Sequence, residues 1–495
     1  MCQIPFLTYP PFISKDTVKK GEELLTYIRE GREMTRQEKL NLIIQLSIPS
    51  ILAQLSTIIM FFIDAAMVGH LGARQSAAIG LVESTTWLIG GLTSAASMGF
   101  SVQVAHFIGA NDFKAARRVL RQSLVCCAVW SLAICLLAIL IHLRLPYWLG
   151  GTQEIASDAS LYFLVFACAI PFFQLEGLCG SMLKCAGNMK VPSILNICMC
   201  VMDVIFNYFF IFVAGMGVMG AAMGTLLAFI VTAGLMTYFL LVRSKELSLA
   251  QDPMLFSTHG ETWNRFRPTA EIVRNAVKIG APMGLQHVLM GGAQIVSTMI
   301  VAPLGTIAIA ANSFAITVES ICYMPGFGLA EAATTLVGQA LGAGQRLLTR
   351  SFAFMSVGMG MVVMTFMGVL MYLFAPELMG VMTPVAAIRD LGAASLRIEA
   401  FAEPMFAAAI VANGVFVGAG DTMKPAMMSL FSMWAVRLTL AYALAQQYGL
   451  KGVWTAMAIE LSFRGILFLI RLFSKGWTKN IIEKSPAADK LLATD

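Results

Sequence analysis

From Leu40 to Ile63 the chain runs for more than twenty residues without a charged side chain, and eleven further apolar runs follow it. These runs constrain the fold more than any other feature. A helix of roughly 20 apolar residues crosses the hydrocarbon core of a bilayer, where every backbone polar group must be satisfied internally. The runs are too long, and too rich in Leu, Met, Ala and Gly, for the ~10-residue alternating strands of an outer-membrane barrel. Composition agrees: 58% of the 495 residues are hydrophobic and 13% are charged, against about 25% charged in soluble domains. An integral all-α membrane protein is expected, with the lipid bilayer as its surroundings. A net charge of +6 does not point to a nucleic-acid partner.

Breaks carrying charge, Gly or Pro delimit twelve candidate spans, near residues 41–69, 82–108, 120–142, 160–184, 191–213, 218–242, 273–302, 308–339, 350–374, 393–418, 424–446 and 450–473. Basic residues alternate between the intervening loops. The even-numbered loops hold Lys114, Arg117, Arg118 and Arg121, then Lys184 and Lys190, then Arg243, Lys245, Arg265 and Arg267, then Arg346 and Arg350, then Lys424. The odd-numbered loops hold at most one each. Positive charge stays on the cytoplasmic side, so both termini are expected in the cytoplasm and the protein in the cell's inner (plasma) membrane, multi-pass and monomeric. The expected division is a cytoplasmic arm at 1–40, a first lobe at 41–242, a cytoplasmic linker at 243–272, a second lobe at 273–473 and a tail at 474–495. The arm has no apolar segment of signal-peptide type, and a short surface helix is expected within 15–39. Ten cysteines fall mostly inside the apolar runs without zinc-site spacing, and read as unbridged packing thiols.

The two halves repeat. Pro49 and Pro282, Gly72 and Gly305, and Gly187 and Gly420 are each 233 positions apart, and after one gap GMGVMG faces QYGLKG. Generic hydrophobicity would not hold Gly and Pro in phase over some 140 residues. Six spans per half is an even number, so the halves are parallel. A pseudo-twofold axis along the membrane normal should relate two six-helix lobes, with a substrate path between them. That architecture belongs to secondary transporters. No GxSxG, HExxH or Walker loop is present, so neither an enzyme nor a cofactor is expected.

Ionisable residues at bilayer depth cost about 2.5–3.5 kcal/mol on insertion scales and mark function. The first half offers Asp64, Asp203 and Glu176. Asn207 lies four residues after Asp203 on one helix face. Thr225 sits roughly two turns from the outer end of the sixth run, so these residues share the outer half of one bundle. Glu176 stands two turns from Lys184, where an ion pair competes with a transport role. The repeat mates of Asp64 and Asp203 are Ser297 and Val436, so the carboxylate pattern is not symmetric. The second half has its own charges: Glu319, Glu331, Glu399, Glu403, Arg437, Glu460 and Arg464. Glu460 and Arg464 are spaced for a local ion pair, and most of the set reads as structural.

MVGHLGARQSAAIG, GLAEAATTLVGQALGAG, and VGAGDTMKP followed by Arg437 resemble the multidrug and toxic compound extrusion (MATE) family over roughly residues 36–475. The resemblance implies two six-helix lobes forming a V, and export of a substrate against inward flow of H⁺ or Na⁺. It assigns coupling to Asp64, Asp203, Asn207 and Thr225, which are also the residues for a Na⁺ site. It assigns helix bending to Pro49. The acid of the fifth helix precedes the amide here, the reverse of some members. Sodium-coupled members carry acids in helices 7 and 10, where this chain has Met290 and Phe406. The expected substrate is a small, cationic, amphipathic molecule, met by cavity residues drawn from Gln54, His287, Met290, Glu403 and Arg437. A lipid-linked precursor flippase is the alternative within transport, and an ion channel the alternative outside it.

Overall fold

The computed structural model describes residues 21–249, 266–474 and 476–478, and it is helical throughout. Nine spans are single helices or a helix with a short 3₁₀ or π extension. They are α1 (Arg36–Gly69), α2 (Ala73–Gly109), α3 (Phe113–Ile141), α4 (Gln153–Cys185), α5 (Lys190–Tyr208, extended by a π segment Phe209–Val213), α6 (Gly217–Tyr238, extended by Phe239–Arg243), α7 (Ala270–Val301), α8 (Thr306–Gly342) and α9 (Arg346–Leu373). The tenth span, α10, is broken: Ala386–Glu399 and Glu403–Gly418 meet at 62°. The last helical stretch, Met423–Phe473, has 51 residues, about 75 Å at 1.5 Å per residue, more than twice the ~30 Å hydrocarbon core. Non-helical backbone at Gly449 divides it. It therefore makes two crossings, α11 (423–448) and α12 (450–473).

The sequence boundaries were short at several ends, because α2 and α4 extend past the membrane core to residues 73 and 153. The expected short surface helix is present, described over Gly21–Glu30; Leu24, Leu25 and Ile28 face inward while Glu22, Glu23, Thr26 and Glu30 are exposed. It does not reach residue 39: residue 31 is a glycine with φ 72°, and a Thr35–Glu38 capping box starts α1 separately. The linker begins after Arg243 and ends at α7, with residues 250–265 outside the described part. The described start of the tail packs inward: Trp477 stacks edge-on against Phe416 of α10.

Each half packs as a bundle, α4 against α2 and α6 in the first and α10 against α8, α9 and α12 in the second. The halves meet through α1 with α8, and α2 with α7 and α8. They touch most closely at the end carrying the basic loops. A Cβ on Gly109 would collide with the Gln339 carbonyl, and one on Gly342 with the His106 carbonyl, so α2 and α8 lie backbone against backbone there. Across the same seam, His106 Nε2 bonds with the Gly418 carbonyl at 2.7 Å, Thr335 donates to the Lys184 carbonyl at 3.0 Å, and Gln339 donates to the Cys185 carbonyl at 2.8 Å. The amino-terminal helix lies across this end. Gln345 donates to the Ile28 carbonyl, Asn111 donates to the Arg29 carbonyl at 3.0 Å, and Arg29 pairs with Glu246 at 3.2 Å. The lobes are thus closed at the end that carries the basic loops.

Candidate functional site

Four polar side chains of the first lobe converge where α1, α5 and α6 meet. Asp203 and Asn207 are one turn apart on α5, and 1% and 2% exposed. The Asn207 amide donates to Asp203 Oδ2 at 2.9 Å and to Asp64 Oδ1, across on α1, at 3.1 Å. Asp64 and Thr225 of α6 both lie beside Asp203, near enough to act on its carboxyl group. Two carboxylates are acceptors only, so contact between them requires a proton or a cation to mediate it. Asp203 Oδ1 and Asn207 Oδ1 are buried without a partner, each at a cost of about 1–3 kcal/mol until something is bound. Asp64 is the half-exposed member, the edge through which the site opens. Apolar clusters close it on either side, Met60, Met199 and Ala228 on one and Met67, Ile211 and Ala221 on the other. The π segment of α5 starts two residues beyond Asn207, a distortion common at functional sites.

One glycine makes the convergence possible. A Cβ on Gly224 would collide with Asn207 Oδ1 and lie 2.7 Å from the Asn207 backbone nitrogen. Its only sequence signal is its place beside Thr225 in GAAMGT.

A second polar region lies toward the end that carries the basic loops. A cavity of about 200 Å³ is lined by Ser97, Gln174, Glu176, Lys184, Asn196 and Glu331 among others. Lys184 pairs with Glu331 at 2.8 Å, and Gln54 donates to the same Glu331 oxygen at 3.3 Å. The expected pairing of Lys184 with Glu176 is therefore corrected. Eight residues along a helix put two side chains about 12 Å apart, whereas α8 of the other lobe is adjacent. Glu331 thus ties α1 and α4 of the first lobe to the second.

The MatE family model matches residues 49–209 and 282–443, one match in each half. Their starts are the two prolines of the internal repeat. The chain belongs to this family, the MATE transporters. Among similar proteins, the "Probable multidrug resistance protein NorM" of Thermotoga maritima is 26% identical over 89% of this chain and 93% of its own length. Two solved structures share the fold. An outward-facing multidrug resistance MATE transporter of the MOP superfamily has a TM-score of 0.82 at 22% identity, over 92% of this chain and 98% of that one. A point mutant of the Vibrio cholerae MATE transporter VcmN has a TM-score of 0.78 at 18% identity, over 96% of this chain and 99% of that one. The protein is thus a multi-pass membrane transporter of small molecules, not an enzyme.

Within this MATE fold the remaining expected residues scatter. Pro49 lies inside α1 and removes the backbone bond to the Gln45 carbonyl. The Gly91 position of α2 abuts the His287 ring of α7. Met290 packs beside Ala293, Met433 and Leu438. Glu403 was expected to line the cavity; it is 0% exposed and packs against Gly368, because it lies where α10 bends inward into the lobe. Arg437 points inside the second lobe, its Nη2 donating to Met457 Sδ at 2.7 Å. Of the five expected cavity residues, Gln54, His287, Met290, Glu403 and Arg437, none lines the 200 Å³ cavity, and Gln54 reaches it only through its bond to Glu331. Glu460 and Arg464 form their i, i+4 ion pair at 2.6 Å. All nine described cysteines are unbridged.

Proposed function

We propose that this MATE transporter exports small cationic, amphipathic molecules in exchange for H⁺ or Na⁺, by alternating access between its two lobes. The observation that carries the reading is the Asp64–Asn207–Asp203 bridge. It couples a half-exposed acid on α1 to a buried one on α5 through a single amide.

With the cytoplasmic side closed, an external H⁺ or Na⁺ reaches the site past Asp64. A proton satisfies the carboxyl pair directly. A sodium ion has hard oxygen donors in Asp64, Asp203, the Asn207 carbonyl and the Thr225 hydroxyl. Either one neutralises charge at the end of α1, which then bends at Pro49 and displaces a cationic substrate from the cleft. Rocking to the inward-facing state requires the Lys184–Glu331 contact and the α2–α8 seam to part. Met and Phe side chains along the cleft give a surface that adapts to varied apolar substrates. The protein works as a monomer in the inner membrane, with both termini cytoplasmic.

Efflux of a cationic dye from reconstituted vesicles, driven by an imposed pH or Na⁺ gradient, tests this. Asp64→Asn should lower gradient-driven efflux at least tenfold under whichever gradient drives the wild type. Wild-type rates in the variant under both gradients would refute the coupling role, and current without a substrate gradient would indicate a channel.

A further inference from the structure

The break in α10 places two glutamates side by side. Glu399 is the last residue of its first piece and Glu403 the first of its second. Both are 0% exposed, and none of their four carboxyl oxygens has a hydrogen-bond partner. Glu319 of α8, 5% exposed, lies near enough to both for their charges to interact. The positive group near Glu399 and Glu319 is Arg437, the last residue of a π segment, Ser432–Arg437, within α11. Its Nε is likewise buried without a partner. The other guanidinium nearby, Arg464 of α12, is already committed to Glu460, whose carboxylate also accepts from the Ser432 hydroxyl at 2.6 Å. From α8, Cys322 and Tyr323 face the same carboxyls. α9 contributes Gly368, where an added Cβ would lie 3.1 Å from the Glu403 side chain, and no charge.

Charge counting then decides what this place holds. Three carboxyls face one free guanidinium in a site without water access. As three carboxylates they would leave two negative charges buried and uncompensated, which a low-dielectric interior does not tolerate. A metal ion is a poor remedy beside a guanidinium, and no metal-holding group of three or more His, Cys, Asp or Glu exists among the described residues. Protons remain, and a protonated carboxyl supplies the donor that the four orphaned oxygens lack.

We propose that the break in α10 is a second proton-binding site, in which Glu399 and Glu403 take up and release protons against Glu319 and Arg437, separately from Asp64 and Asp203. It is not a repeat of the first-lobe site. The repeat mates of Glu403 and Pro404 are Ile170 and Pro171, on a helix, α4, that runs unbroken. It also uses neither Met290 nor Phe406. A change in proton occupancy alters the charge on both sides of the bend, so the geometry couples protonation to the angle of α10. The inference stands on this cluster alone and does not depend on what drives transport at Asp64.

Infrared spectroscopy of the full-length protein in lipid tests it, by the carbonyl stretch of protonated carboxyls recorded across pH and identified by its shift in D₂O. In a background of Asp64→Asn, Asp203→Asn and Glu176→Gln, a pH-dependent protonated-carboxyl band should persist. Adding Glu399→Gln and Glu403→Gln should remove most of it. A background without the band, or a band untouched by the two substitutions, overturns the proposal. The single variants Glu399→Gln and Glu403→Gln, made in the wild type, guard against a background that does not fold. An amide matches a neutral acid in shape, so each should retain the wild-type thermal transition while losing its own share of the band. Failure of either amide variant to fold would mean that a carboxylate charge is required there, and would also overturn it.

Discussion

Replacing Gly224 with alanine puts a methyl group where the candidate coupling site already has atoms. The new Cβ would lie 2.7 Å from the Asn207 nitrogen, about 0.7 Å inside the 3.4 Å at which ordinary contact begins, and would clash with Asn207 Oδ1 more closely still. Backbone atoms cannot rotate away, so α5 and α6 must separate by roughly that amount, at about 1–3 kcal/mol of overpacking strain. With Asn207 Oδ1 also in the way, the Asn207 side chain must turn, which takes its amide out of hydrogen-bonding range of Asp64 on α1, now 3.1 Å away, while Asp203 stays beside it on the same helix. Each bond to a charged acceptor is worth about 1.5–3 kcal/mol. Losing one therefore weakens coupling-ion binding by tenfold or more, at 1.4 kcal/mol per decade. The assay is gradient-driven dye efflux as a function of external H⁺ or Na⁺ concentration. Gly224→Ala should raise the half-saturating ion concentration at least tenfold. Gly234→Ala is the control, on the same helix with nothing within 4 Å of its Cβ, and should behave as wild type. If the two variants have the same ion dependence, the bridge through Asn207 does not set ion affinity and the reasoning is wrong.

Other outcomes follow from the closure at the basic-loop end. Lys184→Gln removes an inter-lobe ion pair whose side chains remain 17% and 24% exposed. Such a pair contributes about 1 kcal/mol at most, so hydrogen exchange at the basic-loop ends of α2 and α8 should accelerate by no more than about fivefold; unchanged exchange would remove its role as a latch. Gly342→Val drives a side chain into the His106 backbone and should open the same seam more strongly, giving faster exchange than Lys184→Gln. The reverse ranking would contradict the backbone contact. Ile28→Ala empties a fully buried position in the amino-terminal helix, and Ile→Ala typically costs about 2–5 kcal/mol. That helix should detach, and exchange should rise in the Asn111 and Gln345 loops while the transmembrane core keeps its protection. Loss of protection throughout would mean the helix holds the whole fold rather than the seam at the basic-loop end.

Much of the fold was legible because a bilayer enforces simple rules. Span length, loop charge and the 233-residue register of Pro and Gly are local or periodic quantities, and they located all twelve crossings. The ends of α2 and α4 were missed because helices continue past the membrane, where polar residues no longer signal a boundary. The break in α10 was missed because Pro404 alone does not predict one: its repeat mate Pro171 sits in an unbroken helix. Asp203 and Asn207 could be placed on one face from their spacing. That Asn207 also reaches Asp64, 143 positions away, had no local signal. Lys184 illustrates the same limit, since its nearest acid along the chain was not its partner in space.

The sequence by itself determined that this chain crosses a membrane twelve times as two parallel halves, and that its first half carries acids its second half lacks at the matching positions. Those conclusions follow from hydropathy, charge bias and repeat register, each readable one residue at a time. Only the tertiary structure decided which acids share a donor, which glycine lets them meet, that Glu331 holds the lobes together, and that Glu399 and Glu403 are buried without partners. The physical reason is that hydrogen bonds and buried charge act over about 3–6 Å between helices. Pairing across such gaps depends on how the helices pack, which no single span encodes.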